Sequence, residues 1–153
     1  MNNATLKFRP NVAAIIKNAV GRILICERVN LAGAWQFPQG GVDKGETFEQ
    51  ALVREMMEEL SLRAEDYRVL GRKGPYRYVF GGGKRKKGFD GQEQQYFLAV
   101  LTAPETRINV VTPHQEFRSV RWIEPVDFDL MWLPEFKREV YRSVLRDFFG
   151  VEK

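Results

Sequence analysis

The chain has 153 residues, of which 44% are hydrophobic, and this fits one domain with a sizeable core. The composition excludes the disordered, collagen-like and disulfide-scaffold classes of protein. The formal net charge is +4 at pH 7. Such an excess favours an anionic partner, although it can also serve solubility alone.

The single cysteine, Cys26, excludes an internal disulfide. The first residues, MNNATLKFRPN, contain no apolar segment of the signal-peptide type. No apolar run reaches the roughly 18 residues that a membrane helix needs. We therefore expect a soluble cytoplasmic protein without a membrane partner. The one histidine, His114, lacks neighbouring zinc ligands and is expected to be a solvated loop residue.

The first part of the chain alternates apolar runs with turns. Residues 12–16 and 23–26 are apolar, and residues 18–21 between them have turn composition, which predicts a β-hairpin. Residues 33–45 are rich in glycine and proline, which predicts a loop.

Residues 47–60 are predicted to form a helix. Thr47 is a favourable N-cap, and Gln50 three residues later completes a capping box. Apolar residues then recur every four positions, which predicts a buried stripe. The stripe consists of Phe48, Leu52, Met56 and Leu60.

The remaining chain predicts further strands and a last helix. Residues 67–70, 76–80, 94–101 and 120–123 have strand composition, and residues 81–88 form a glycine-flanked basic loop. In the last helix, Pro134 is placed at position N1 and Gly150 ends the helix. Its apolar face consists of Phe136, Val140, Val144 and Phe148. Mixed strands and helices predict one α/β or α+β domain over residues 1–153.

Three glutamates share one face of the helix predicted at residues 47–60. Glu55, Glu58 and Glu59 stand at positions i, i+3 and i+4, where like charges repel by a few tenths of a kcal/mol per pair, roughly. A divalent cation would turn this repulsion into binding, since Mg²⁺ prefers oxygen ligands. A solvated acidic face is the alternative. The glycine-rich residues 39–45 favour the cation, because such a loop lets the backbone approach a ligand closely.

The spacing around these glutamates resembles the Nudix box. Gly40 is followed by Glu46, then by the segment from Arg54 to Glu59, and then by Leu62. Ser61 departs from the pattern, because the family usually has glycine at this helix end. The resemblance implies a Nudix-type sandwich, in which a mixed β-sheet has flanking helices and a catalytic loop-helix-loop.

Segments outside the box resemble the bacterial RNA pyrophosphohydrolase branch of the family, which is close to the diadenosine polyphosphate hydrolases. These segments are residues 8–12, 35–41, 91–97 and 115–117, Trp122 and residues 136–141.

The resemblance implies a role for each matching residue. The implied catalytic set is Glu46, Arg54, Glu55, Glu58, Glu59 and Glu116. The implied ligands of Mg²⁺ or Mn²⁺ are the Gly40 carbonyl, Glu55, Glu58, Glu59 and Glu116. Arg54 and Glu46 would join the loop to the helix by a salt bridge, and Glu116 would support a metal or activate water.

The resemblance also implies five substrate-binding positions. Arg9, Gln92 and Lys137 match positions that meet 5′ phosphates. Arg28 and Phe136 match positions that flank the first base. Phe136 heads the apolar face of the last helix, so a plain core role is the alternative for its ring.

The activity that the resemblance implies is removal of pyrophosphate from 5′-triphosphorylated RNA, which leaves a 5′-monophosphate and initiates mRNA decay. Hydrolysis of diadenosine polyphosphates or (d)NTPs is the alternative, because the box binds metal and phosphate rather than base. A third possibility is a non-catalytic Nudix module that binds RNA or a nucleotide, but such modules usually lack the metal-site glutamates. No DNA-specific binding is expected, and exposed strand edges allow a homodimer.

Residues 84–87 are four successive positive charges next to glycine. They predict contact with RNA phosphates downstream of the 5′ end. A solvated hairpin tip is the alternative.

Overall fold

The computed structural model describes residues 5–153, in which a seven-stranded mixed sheet lies between two helices. Residues 1–4 of the N-terminal segment considered above lie outside the described residues. The strands are β1 (Phe8–Lys17), β2 (Ile23–Arg28), β3 (Trp35–Gln36), β4 (Gln39–Gly41), β5 (Tyr67–Val79), β6 (Gly91–Leu101) and β7 (Phe117–Ile123). The helices are α1 (Phe48–Leu60) and α2 (Glu135–Phe149). The strand order is β3-β2-β1-β6-β5, with β4 paired to β1 and β7 paired to β2.

Apolar side chains cover both faces of the sheet. Successive side chains of a strand point to opposite faces, so β1 contributes to a core cluster on each side. Val12, Ala14 and Ile16 join the core cluster that α1 covers. Ala13 and Ile15 join the cluster that α2 covers. The predicted sandwich of a mixed sheet and flanking helices is therefore confirmed. Neither helix of the described residues is long and apolar enough to cross a membrane.

The predicted hairpin exists only at its turn, where Lys17 pairs with Ile23. Beyond that pair β1 runs parallel to β6, and β2 runs antiparallel to β7. The prediction of one loop over residues 33–45 was wrong, because β3 and β4 lie inside it. These strands have only two and three residues, so they leave no alternating pattern in the sequence.

The two strands predicted at residues 67–70 and 76–80 are one strand, β5, which pairs with β6 along its length. The pairing shifts register between Val69 and Gly71 and again between Lys73 and Tyr76. Pro75 follows a cis peptide bond in the second irregularity. The proline and the two glycines nearby made one long strand look like two.

Helix α1 begins as predicted. The Gln50 amide donates to Thr47 Oγ1 at 3.1 Å, and the Thr47 amide donates to Gln50 Oε1 at 2.9 Å. The predicted stripe is buried at its last three positions and partly buried at Phe48. At the other end Ser61 adopts the left-handed conformation, with φ 62°, so the serine preserves the turn that glycine usually makes.

Helix α2 begins one residue later than predicted. Pro134 is its N-cap, with ψ 150°, rather than its first helical residue. Gly150 ends the helix in the left-handed conformation, as predicted. The helix therefore presents Phe136 and Lys137 in its first turn, near the end of β5.

Candidate active site

A cavity of about 410 Å³ opens where α1 faces β4 and the first residues of β1 and β6. Its lining includes most of the residues singled out from the sequence: Arg9, Gly40, Glu55, Glu58, Glu59, Gln92 and Glu116. The parallel register of β1 and β6 explains part of this set, since it places Arg9 beside Gln92. The antiparallel register of β1 and β4 places Gly40 beside Val12.

Arg54 lies at the centre of the polar contacts below the cavity. Its Nε and Nη2 donate to the two oxygens of Glu46 at 2.7 and 2.9 Å, a bidentate salt bridge. Its Nη2 also donates to the Gly41 carbonyl at 2.7 Å. The hydrogen bonds that Glu46 accepts from Arg54 and from the Asp43 amide lower its pKa to about 2. The loop before α1 is thereby attached to the helix.

Arg54 also neutralises two of the helix glutamates. Its Nη1 donates to Glu55 Oε1 at 2.7 Å and to Glu58 Oε2 at 3.3 Å. Among residues 5–153, no three carboxylates, cysteines or histidines stand close enough together to form a preassembled cation site. The carboxylates share one cavity, but Arg54 occupies oxygens of Glu55 and Glu58.

Glu59 is the buried carboxylate of the site, with 6% of its surface exposed. Burial raises its pKa well above the ordinary value, and the charges of Glu55 and Glu116 raise it further. Its Oε2 is buried and has no hydrogen-bond partner in the described residues. A buried carboxylate oxygen that lacks a donor fits a hard divalent cation, which prefers oxygen ligands.

Two glycines of β4 leave room for side chains of the site. A Cβ at Gly40 would overlap the carboxylate of Glu55. A Cβ at Gly41 would overlap the guanidinium of Arg9. The glycine-rich loop therefore lets both a carboxylate and a guanidinium reach the cavity wall.

A second cavity, of about 430 Å³, is lined by aromatic and cationic side chains. It contains the predicted Arg28 and Phe136, together with Phe80, Lys84 and Lys86. The ring of Phe136 both packs in the α2 cluster and faces this cavity, so the two interpretations of this residue are compatible.

Lys137 is not an ordinary surface lysine. It is partly buried, and its Nζ lies 5.8 Å from the centroid of the Tyr78 ring. Burial lowers its pKa to about 8, and the positive charges of Arg28 and Lys86 contribute. Lys137 therefore lies near two cations of the second cavity, Arg28 and Lys86, and does not line the cavity of the glutamates as far as the described residues define it.

Tyr78 contacts one lining residue of each cavity, which its position in an alternating strand did not indicate. Its hydroxyl donates to Gln92 Oε1 at 2.8 Å, on the side of the first cavity. Its ring lies 5.5 Å from that of Phe136, on the side of the second cavity.

Sequence reasoning also missed His114, which is exposed as predicted but lines the first cavity. Its place shortly before Glu116 is the only sequence signal for this.

The comparisons with known proteins identify the family of this chain. The NUDIX domain model matches residues 7–148. The RNA pyrophosphohydrolase of Helicobacter pylori strain P12 is 42% identical over 150 residues, which are 93% of this chain and 94% of that protein. The RNA pyrophosphohydrolase of Baumannia cicadellinicola is 38% identical over 149 residues, which are 92% of this chain and 91% of that protein.

Solved structures share the fold at low sequence identity. A binary complex of a C. elegans Ap4A hydrolase has a TM-score of 0.66 and 20% identity, and the match covers 93% of this chain and 98% of that chain. The E. coli dihydroneopterin triphosphate pyrophosphohydrolase has a TM-score of 0.72 and 19% identity, with coverage of 94% and 96%. Since the family model and the relatives span nearly the whole chain, it belongs to the NUDIX domain family and is a Nudix hydrolase.

Proposed function

We propose that this enzyme removes pyrophosphate from 5′-triphosphorylated RNA and thereby initiates mRNA decay. Relatives that are 36–42% identical and carry the name RNA pyrophosphohydrolase support this substrate. The observation that carries the proposal is the link through Tyr78 between a carboxylate-lined cavity and an aromatic, cationic one. One cavity suits a phosphate chain and its cation, and the other suits the nucleotide attached to it.

Nudix hydrolases generally depend on a divalent metal. We propose that Mg²⁺ or Mn²⁺ is the metal here. The ligands would be the Gly40 carbonyl and the carboxylates of Glu55, Glu58, Glu59 and Glu116. When bound, such an ion supplies charge neutralisation at the phosphates and lowers the pKa of a coordinated water.

Arg9, Gln92 and the glutamates would then have different roles at the phosphates. Arg9 contributes a fork of donors that matches phosphate oxygens, and Gln92 contributes an amide beside it. One of the helix glutamates or Glu116 accepts the proton of the attacking water. The water oxygen forms a bond to phosphorus as the phosphoanhydride bond between the α and β phosphoryl groups breaks, which releases pyrophosphate and leaves a 5′-monophosphate end.

The second cavity would hold the first base. Arg28 and Phe136 line it together, so a base can lie between a guanidinium and a phenyl ring. Stacking of one base on an aromatic side chain contributes about 1–3 kcal/mol. Lys137 would add a positive charge toward the 5′ phosphates from its place over Tyr78.

We also propose a reducing cytoplasmic location, because the single cysteine, Cys26, is a buried free thiol. We propose in addition that the protein forms a homodimer. Its support is the edge position of β5, where Val69 and Leu70 are exposed.

Replacing Gly40 by alanine is expected to lower kcat/KM about 10–100-fold with little change in Tm. The added Cβ would displace the Glu55 carboxylate, which is the mobile end of a side chain rather than backbone. Steady-state hydrolysis and thermal unfolding of the two proteins measure this. Gly71→Ala is the matched control, because a Cβ there meets open space. Equal activities of the two variants would contradict the close packing at Gly40.

The proposed substrate is tested by side-by-side assays with triphosphorylated RNA, diadenosine tetraphosphate and GTP, followed by product analysis. We expect the highest kcat/KM on the RNA, with pyrophosphate and monophosphorylated RNA as products. A kcat/KM on GTP or on diadenosine tetraphosphate far above that on RNA would overturn the proposal in favour of a small-nucleotide hydrolase.

A further inference from the structure

We propose that Lys84 and Lys86 form a binding site for the phosphodiester that follows the first nucleotide of RNA. Through this site the enzyme would prefer an RNA chain over a free nucleoside triphosphate. This inference rests on the function proposed above. It names the residues that would make the enzyme select an RNA chain over a single nucleotide.

The four basic residues 84–87 do not act as one uniform patch, because two of them face the second cavity and one is engaged elsewhere. Lys84 and Lys86 line the cavity. Arg85 points to Asp90 instead, with Nε 2.9 Å from Oδ1, and its Nη2 donates to the Gly88 carbonyl at 2.6 Å. The alternation is that of an extended segment.

A tight turn fixes the direction of Lys86. The Lys86 amide donates to the Phe89 carbonyl at 3.0 Å, and the Phe89 amide donates to the Lys86 carbonyl at 2.9 Å. Lys87 and Gly88 between them have φ of 51° and 83°, the positive values that two-residue hairpin turns need. The loop is therefore a local hairpin, and its Lys86 lines the cavity.

Lys84 is positioned by a second local turn. Its amide lies 3.3 Å from the Gly81 carbonyl that accepts its hydrogen bond. Gly82 and Gly83 inside this turn have φ of 67° and 68°, which favours glycine over other residues. The positive φ angles of these glycines therefore set the direction of the chain at Lys84.

Among the described residues, the lining of the cavity gathers positive charge and contains no carboxylate. Arg28, Lys84 and Lys86 are its charged side chains. The nearest acid of the loop, Asp90, is paired with Arg85. The pKa of Lys137 is lowered by burial and also by Arg28 and Lys86, which agrees with like charges crowded on one side. A bound anion would relieve this crowding.

Aromatic rings lie between these cations, which is the pattern of single-strand nucleic-acid sites. The Nζ of Lys86 lies 5.1 Å from the centroid of the Phe80 ring. That ring makes an edge contact with Phe136 at 6.3 Å. A base held against Phe136 would leave its 3′ phosphodiester within the group of lysines. GTP has no phosphodiester at that place, whereas any RNA of two or more nucleotides has one.

The test compares two double variants of equal charge change. Lys84→Gln/Lys86→Gln removes the two lysines of the cavity, and Arg68→Gln/Lys87→Gln removes one other cation of the same loop and one exposed cation of β5, which leaves the Arg85–Asp90 pair intact. We expect the ratio of kcat/KM on a triphosphorylated octanucleotide to that on GTP to fall about tenfold in the first variant and to stay near the parental value in the second. The slope of log KM against log salt should decrease by about 0.7 for each RNA phosphate that the variant no longer neutralises.

Binding of a 5′-hydroxyl RNA octanucleotide, measured by fluorescence anisotropy, separates this inference from the proposed function. Such an RNA has no triphosphate, so its affinity reports the contacts with the first base and with the downstream phosphodiesters. We expect weaker binding only for Lys84→Gln/Lys86→Gln. Equal affinities of both variants, whether both weakened or both parental, would overturn the inference. Failure of the parent to hydrolyse triphosphorylated RNA would instead overturn the proposed function.

Discussion

A Glu58→Gln enzyme is expected to lose about 10²–10⁴-fold in kcat on triphosphorylated RNA while keeping the thermal stability of the parent. Glu58 lines the cavity, but its side chain is 58% exposed and its ion pair with Arg54 is 3.3 Å long. Glutamine has almost the same size, so the helix should not change. It carries no charge, however, and can neither attract a divalent cation as strongly nor accept a proton from water.

The matched control for this prediction is Glu49→Gln. Glu49 lies in the first turn of the same helix and pairs with Arg72 at 2.7 Å on the protein surface. We expect parental kcat for this variant, together with parental Mn²⁺ affinity in calorimetric titration. If Glu58→Gln proved as active as the parent, a catalytic role of Glu58 would be contradicted.

An Arg54→Ala protein is expected to lose both activity and stability, the latter by about 2–3 kcal/mol. The Arg54 side chain is 25% exposed, and it donates to Glu46, Glu55 and the Gly41 carbonyl. Its removal leaves neighbouring carboxylates without a counterion and frees the loop from the helix. Urea unfolding gives the loss in free energy, and steady-state hydrolysis gives the loss in kcat.

Two further variants make the Arg54 prediction specific. Arg54→Lys keeps the charge but not the bidentate fork, so we expect intermediate stability and low activity. Arg63→Ala removes an exposed arginine whose pair with Glu65 is 3.8 Å long, and it should change stability by less than about 0.5 kcal/mol. A similar loss for Arg54→Ala and Arg63→Ala would show that the buried network contributes little.

Much of the site could be predicted from the sequence because its signals are local. The capping box of Thr47 and Gln50 lies within four residues, and the three helix glutamates lie within five. Helical geometry alone then places these carboxylates on one face. The spacing of Gly40 and Glu46 before them belongs to the same continuous segment, so the whole loop-helix-loop could be recognised without knowledge of the sheet.

The parts that escaped prediction depend on contacts between distant segments. The pairing of Arg9 with Gln92 follows from the register of β1 and β6, which no local pattern specifies. The connecting position of Tyr78 and the burial of Lys137 require both β5 and α2 to be in place. For the same reason the different directions of Lys84, Arg85 and Lys86 depend on turns that the charge pattern of the loop does not specify.

Ser61, at the end of α1, shows how a departure from the family pattern can be compensated. Its hydroxyl donates to the Asn109 carbonyl at 2.8 Å, and the Asn109 amide donates to the Leu60 carbonyl at 3.0 Å. These bonds tie the glutamate-bearing helix to the segment that leads to Glu116. Left-handed backbone is less favourable for serine than for glycine, but the hydroxyl adds an anchor that glycine lacks. Serine at this position thus makes the turn that ends α1 and at the same time cross-links the helix to the segment before Glu116.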